Sequence, residues 1–96
     1  EIPPGTRRRF VERIIGRLLE SDGDRLLTTL DTYFKCDCDL KRTSANLFIH
    51  RNTLVYRLKK IRHLTGLEPR KFSDAMQLQM ALMLKEFDHS TSIFDA

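Results

Sequence analysis

Hydrophobic residues recur at three- and four-residue intervals along most of the chain, and no stretch alternates between hydrophobic and polar residues with a period of two. This periodicity predicts an all-α protein, a five-helix bundle. The predicted helices cover residues 7–20, 24–35, 40–47, 51–64 and 73–87. Polar residues and one glycine mark their ends: we expect N-caps at Thr6, Asp24, Asp39 and Ser73 or Asp74, and a C-terminal stop at Gly66.

Two of the predicted helices differ in how their hydrophobic residues are arranged. In helix 51–64, Leu54, Leu58, Ile61 and Leu64 share one face, which must point to the core. Helix 73–87 is instead hydrophobic on nearly all sides. A helix with so little polar surface is expected at the centre of the bundle.

Length and composition indicate one ordinary soluble domain. The chain has 96 residues, of which 41% are hydrophobic and 31% charged, and no apolar run approaches the roughly 20 residues that cross a bilayer. There is no signal-peptide pattern, so a cytoplasmic protein is expected. Cys36 and Cys38 are too close for an ordinary disulfide and have no second ligand pair for zinc. We therefore expect reduced, partly buried cysteines in a connection between helices, and no cofactor or metal.

The positive charge is confined to one segment. Residues 40–67 contain no acidic residue but seven of the 17 lysines and arginines, whereas the rest of the chain has ten basic and 13 acidic residues. The overall charge of +4 is thus a local +7 set against −3 elsewhere. Such a segment is typical of a surface that meets nucleic-acid phosphates.

The basic segment also has the layout of a helix-turn-helix, because a short helix is followed by a tight turn and a longer basic helix. If helix 51–64 enters the major groove of double-stranded DNA, its outward side chains are suited to reading bases. Candidates for base reading are His50, Arg51, Asn52, Val55, Tyr56 and Lys59. Candidates for phosphate contact are Lys41, Arg42, Thr43, Thr53, Arg57 and Lys60. Five to seven phosphate contacts per copy predict a slope of log K against log salt of about −4.5 to −6.

The run His50-Arg51-Asn52-Thr53-Leu54-Val55-Tyr56-Arg57-Leu58, with the segments 26–34, 45–49 and 64–67, carries a family resemblance. The chain resembles the C-terminal DNA-binding domain of PucR-type and sugar-diacid (CdaR-type) bacterial transcription regulators, over about residues 10–86. Its turn and second helix are also similar to those of the nucleoid protein Fis. The resemblance implies the C-terminal fragment of a longer regulator that binds an operator as a homodimer and senses a small-molecule effector through upstream domains. Phe48 departs from the glycine common in such turns, so the turn geometry is expected to differ.

Several residues have a structural interpretation beside the functional one. His50 could only cap the helix, Tyr56 could lie along the bundle, and Asn52 and Thr53 could satisfy free N–H groups of the first turn. For the whole chain, the alternatives are a helical bundle that docks an acidic partner and an RNA-binding domain. RNA binding is the weaker of these alternatives, because Tyr56 is the only ring expected on the basic face that could stack on a base. An enzyme is least expected, because no nucleophile–base pair, paired carboxylates or phosphate-binding glycine loop is present.

Overall fold

The structure is a computed structural model that describes the backbone of residues 4–22 and 24–95 and the side chains of residues 5–6, 8–21 and 24–85. It contains five helices: α1 (Pro4–Asp22), α2 (Arg25–Lys35), α3 (Leu40–Leu47), α4 (Arg51–Thr65) and α5 (Phe72–Asp95). The described residues form no strand. The all-α prediction is confirmed, and the bounds of α3 agree with those expected from the sequence.

The helices surround a core to which α1, α2, α4 and α5 contribute. Helix α2 packs against each of the other four, α1 packs against α2, α4 and α5, and α3 contacts α2 and α4. The predicted inward face of α4 is observed, since Leu54, Leu58 and Ile61 are buried and Leu64 is half-buried. Each fully buried leucine or isoleucine stabilises the fold by about 1.5–3 kcal/mol relative to an exposed one. The core side chains therefore hold α4 with one fixed face outward.

Helix α5 lies at the side of the bundle, and the prediction that it occupies the centre is wrong. It contacts α1 and α2, with Leu78 and Ala81 fully buried. Met76, Met80 and Met83 are exposed on its other side, as is Phe72 at its start. The hydrophobic pattern did not show which side of α5 is exposed. Methionine counts as apolar in such a pattern, but an apolar side chain can also lie on the surface. Leu19 of α1 is also exposed.

The helix ends differ in how their free N–H groups are satisfied. Asp39 caps α3 as predicted, because its carboxylate accepts a 3.0 Å hydrogen bond from the Arg42 N–H. Asp24 occupies the N-cap position of α2, but its side chain accepts no capping bond. Helix α1 begins before Thr6, at a proline, a residue suited to the first helical position because it has no N–H to satisfy. Thr6 is therefore not the N-cap.

Neither candidate cap of α5 acts as one, because the helix already begins at Phe72. The Asp74 carboxylate instead accepts a 2.9 Å hydrogen bond from the Glu68 N–H. This contact fixes the connection between α4 and α5. Gly66 ends the preceding helix with φ of 77°, as expected for a left-handed C-terminal residue.

The connection between α2 and α3 holds both cysteines, which are free. Cys36 is buried, whereas Cys38 is exposed, so the prediction of partial burial is wrong for both. Asp37 and Cys38 adopt left-handed conformations, with φ of 56° and 61°. The turn lies beside Tyr33, whose ring is buried in the core. Burial raises the pKa of the Tyr33 hydroxyl to about 12, and the neighbouring Cys38 adds to the shift.

Candidate nucleic-acid interface

Helices α3 and α4 form a helix-turn-helix whose turn consists of Phe48, Ile49 and His50. The Phe48 N–H donates to the Ala45 carbonyl at 3.2 Å, and the Ile49 N–H donates to the Ser44 carbonyl at 3.0 Å. These bonds form a Schellman motif, in which the residue after the helix is left-handed. Phe48 takes this conformation, with φ of 56°. The turn is thus the one that glycine normally makes, and the expectation of a different turn geometry is wrong.

His50 begins α4 as its N-cap. Its Nδ1 accepts a 2.9 Å hydrogen bond from the Asn52 N–H, and the ring is exposed. Because Nδ1 acts as the acceptor, the neutral ring carries its proton on Nε2. The capping interpretation of His50 is therefore observed, and an outward Nε2–H donor remains for a ligand.

Four candidate base-reading residues come together on α4. Asn52, Val55, Tyr56 and Lys59 line one shallow surface depression, called here the reading face. Asn52, Tyr56 and Lys59 are exposed, with Tyr56 at 62% of its area, whereas Val55 is half-buried. Arg51 is exposed in the first turn of the same helix. The face offers amide, hydroxyl and cationic groups around an apolar floor, which suits it to the edges of base pairs.

The candidate phosphate contacts differ in how exposed their side chains are. Lys41 and Arg42 are exposed at the start of α3, and the Arg42 guanidinium lies 3.8 Å from the exposed Asp37 carboxylate. Thr53 and Lys60 are half-buried on α4. Thr43, in contrast, is fully buried, and its hydroxyl donates a 2.7 Å bond to the Asp39 carbonyl. The assignment of Thr43 as a phosphate contact is therefore wrong, because its side chain is in the packed interior.

Arg57 faces a neighbouring helix. Its guanidinium donates a 3.1 Å hydrogen bond to the hydroxyl of Thr29, which is fully buried on α2. The side chain of Arg57 is half-buried and links α4 to α2. A phosphate contact by Arg57 stays a prediction. The hydrogen bond to Thr29 gives Arg57 a structural role as well.

Arg62 was not among the candidate DNA contacts predicted from the sequence. Arg62 is exposed, and with Lys59, His63 and Gly66 it lines a second shallow depression near the end of α4. Arg62 lies in the acid-free segment, three residues after Lys59 and therefore beside it on the helix surface. The sequence thus contained a signal that could have placed Arg62 in the site. The cationic surface therefore extends along α4 beyond the reading face.

The described part of the chain contains neither a metal-binding cluster nor a membrane-spanning helix. No three histidine, cysteine or acidic side chains there lie close enough to hold a metal ion. No helix among the described residues is long and apolar enough to cross a membrane.

The sequence model of the PucR C-terminal helix-turn-helix domain family matches residues 26–84, a span that includes both α3 and α4. The chain belongs to this family. The structure agrees with this match, because α3 and α4 form a helix-turn-helix within a helical bundle. The resemblance noted from the sequence is therefore confirmed, and DNA binding in transcription regulation is the function of this domain.

Individual relatives support the same conclusion. The chain is 45% identical over 75 residues to the carbohydrate diacid regulator of Escherichia coli, a match that covers 77% of this chain and 20% of the regulator. It is 40% identical over 65 residues to the proline-responsive transcriptional activator PutR of Bacillus subtilis, covering 68% and 16%. The crystal structure of a regulator of polyketide synthase expression from Bifidobacterium adolescentis matches with a TM-score of 0.79 and 28% identity, covering 88% of this chain and 35% of that one. The chain spans about a fifth of the length of the curated relatives it matches.

Proposed function

We propose that this PucR-type domain recognises a specific operator in double-stranded DNA by inserting α4 into the major groove. The observation that supports this most directly is the reading face, where Asn52, Val55, Tyr56 and Lys59 stand together opposite the buried leucines of α4. In this arrangement Arg51 pairs with guanine and Asn52 with adenine, while Val55 contacts a thymine methyl group. Each good bidentate contact contributes about 1–3 kcal/mol of discrimination.

The remaining basic residues fix the position of the domain on the duplex. Lys41 and Arg42 at the start of α3 contact phosphates beside the groove, and Lys60 and Thr53 do so from the flanks of α4. His50 donates from Nε2 to a phosphate while Nδ1 keeps its capping bond. These contacts set affinity and register, and the reading face sets sequence preference.

We further propose that the domain works as part of a longer cytoplasmic regulator that binds its operator as a homodimer. One copy reads only a few base pairs, so two copies on half-sites about 34–36 Å apart bind far more tightly than one. The effector that controls the regulator binds outside this domain. The domain itself carries out DNA recognition and no catalysis.

A fluorescence-anisotropy titration against a pool of random duplex DNA at two salt concentrations tests the proposal. The decisive comparison is between Arg51→Ala/Asn52→Ala and a matched control, Lys85→Ala/Gln79→Ala, which removes one cation and one amide from exposed positions on α5. We expect the first variant to bind the duplexes selected by the native domain at least tenfold more weakly and to lose sequence preference. The control should bind as the native domain does.

Two outcomes would contradict the proposal. If both double variants bind equally, affinity depends on total charge, as for a domain that docks an acidic partner. If the native domain binds no duplex even at low salt, either alone or with two copies joined in tandem, its surface does not recognise DNA. Either result would remove α4 from the role of recognition helix.

A further inference from the structure

Phe48 is an unusual residue for its position in the helix-turn-helix. It is left-handed, with φ of 56° and ψ of 42°, a conformation that a side chain with a Cβ disfavours and that glycine usually adopts. Its ring is also 94% exposed, the largest exposed fraction among the exposed hydrophobic side chains of the described residues. Neither backbone geometry nor core packing therefore accounts for a phenylalanine here.

Phe48 lies in the turn directly before α4, and its neighbours fix the backbone of that turn. Ile49, the next residue, packs against the core, and His50 caps α4, so the turn is held at both ends. Three steps along the chain separate Phe48 from Arg51, which limits the distance between their Cα atoms to about 11 Å. Phe48 thus lies close to the first turn of α4, the part of a recognition helix that approaches base edges, and its ring is open to solvent there.

The chemistry around the ring is suited to DNA. The turn lies within residues 40–67, which contain no acidic residue. Next to a phosphate backbone, the apolar surfaces available to a phenyl ring are the deoxyribose carbons and the methyl group of thymine. An aromatic ring is rigid, so little conformational entropy is lost when it packs there.

We propose that Phe48 makes an apolar contact with duplex DNA, packing against deoxyribose and a thymine methyl group at the edge of the major groove. This inference rests on the proposed function of α4 and adds a residue outside the helix to the recognition surface. The strained turn fixes the backbone that carries the ring before DNA arrives. The domain accordingly gives up some stability at Phe48 and gains affinity for DNA.

The test is Phe48→Gly, which should change stability and binding in opposite directions. Glycine fits the left-handed turn without strain, so we expect the melting temperature to rise by roughly 2–8 °C. Loss of the ring should weaken binding to duplexes selected by the native domain by about fivefold or more. The slope of log K against log salt should not change, because no cation is removed. Phe72→Ala, which removes a ring 79% exposed on α5, is the matched control and should not alter binding.

Each result has a clear meaning. A Phe48→Gly variant that is at least as stable as the native domain and binds DNA more weakly supports the contact. Unchanged binding in that variant, together with weakened binding in Arg51→Ala, overturns the role of Phe48 and leaves the proposed function of α4 standing. Absence of binding by the native domain, both alone and with two copies joined in tandem, overturns both. Equal loss of binding in Phe72→Ala would show that any exposed ring has the same effect and would also overturn the assignment.

Discussion

The guanidinium of Arg57 on α4 donates a 3.1 Å hydrogen bond to the hydroxyl of Thr29 on α2. That hydroxyl is itself fully buried and donates at 2.8 Å to the Arg25 carbonyl. The pair therefore joins the proposed recognition helix to the helix that contacts all the others. We expect Thr29→Val to lower the free energy of unfolding by about 1–3 kcal/mol, because it leaves a partly buried guanidinium N–H without its acceptor. Urea denaturation measures this change.

Thr29→Ser is the matched control, since it keeps the hydroxyl and removes only a methyl group. Thr29→Ser should lower the free energy of unfolding less than Thr29→Val does, and equal losses in the two variants would show that the hydrogen bond contributes nothing to stability.

The hydrogen bond to Thr29 also bears on whether Arg57 contacts a phosphate. In Arg57→Gln, a salt slope smaller by about 0.9 would indicate a phosphate contact, whereas an unchanged slope with lower stability would assign Arg57 to the fold alone.

The two possible roles of His50, capping and DNA contact, can be separated by substitution. Asparagine is among the best N-cap residues, so His50→Asn should keep the free energy of unfolding close to that of the native domain. His50→Ala should lower it by about 0.5–2 kcal/mol, because the capping bond to the Asn52 N–H is lost. If Nε2 contacts a phosphate, both variants bind DNA more weakly. Native-like binding by His50→Asn would restrict His50 to the capping role.

The raised pKa of the Tyr33 hydroxyl predicts that the domain loses stability at high pH. Burial raises the pKa of its hydroxyl to about 12, above the ordinary value of 10.0, so the folded state favours the protonated form. The resulting stabilisation is fully present below pH 10 and is lost as the pH rises from about 10 to about 12, because the unfolded chain releases the proton first. In a Tyr56→Phe variant, Tyr33 is the only remaining tyrosine. Its ultraviolet absorbance should titrate near pH 12, and a midpoint near 10 would contradict this account.

The peripheral position of α5 has a direct consequence for stability. Leu78 is fully buried, so Leu78→Ala should lower the free energy of unfolding by about 2–5 kcal/mol. Met80, two residues later, is 44% exposed, and Met80→Gln should change that free energy by no more than about 0.5 kcal/mol. Thermal or urea denaturation of the two variants tests the contrast. A large loss in Met80→Gln would mean that this face of α5 is packed, as the sequence alone had indicated.

Local patterns predicted most of the secondary structure of this chain. The spacing of Leu54, Leu58 and Ile61 identified the buried face of α4, and the opposite face followed from helix geometry. Asp39 was predicted as a cap because a carboxylate before a helix accepts from its first N–H groups. The basic segment was readable as well, since charge placement is a property of the sequence.

Other features depended on contacts between residues far apart in the chain. Sequence spacing placed Thr43 and Arg57 beside the reading face, but packing of α3 and α4 against the bundle buried Thr43 and directed Arg57 to Thr29. Helix α5 carried too many apolar residues for its pattern to indicate which side faces the core, and contact with α1 and α2 determined that.

The sequence by itself thus determined the helices, the faces of α4 and the concentration of positive charge, because these follow from periodicity and composition over short distances. Only the tertiary structure decided which polar side chains remain outside, and it showed that Phe48 takes a glycine conformation with its ring exposed. The physical reason is that burial and hydrogen-bond partners are set by the neighbours that folding brings together, and these neighbours are not encoded in any single helix.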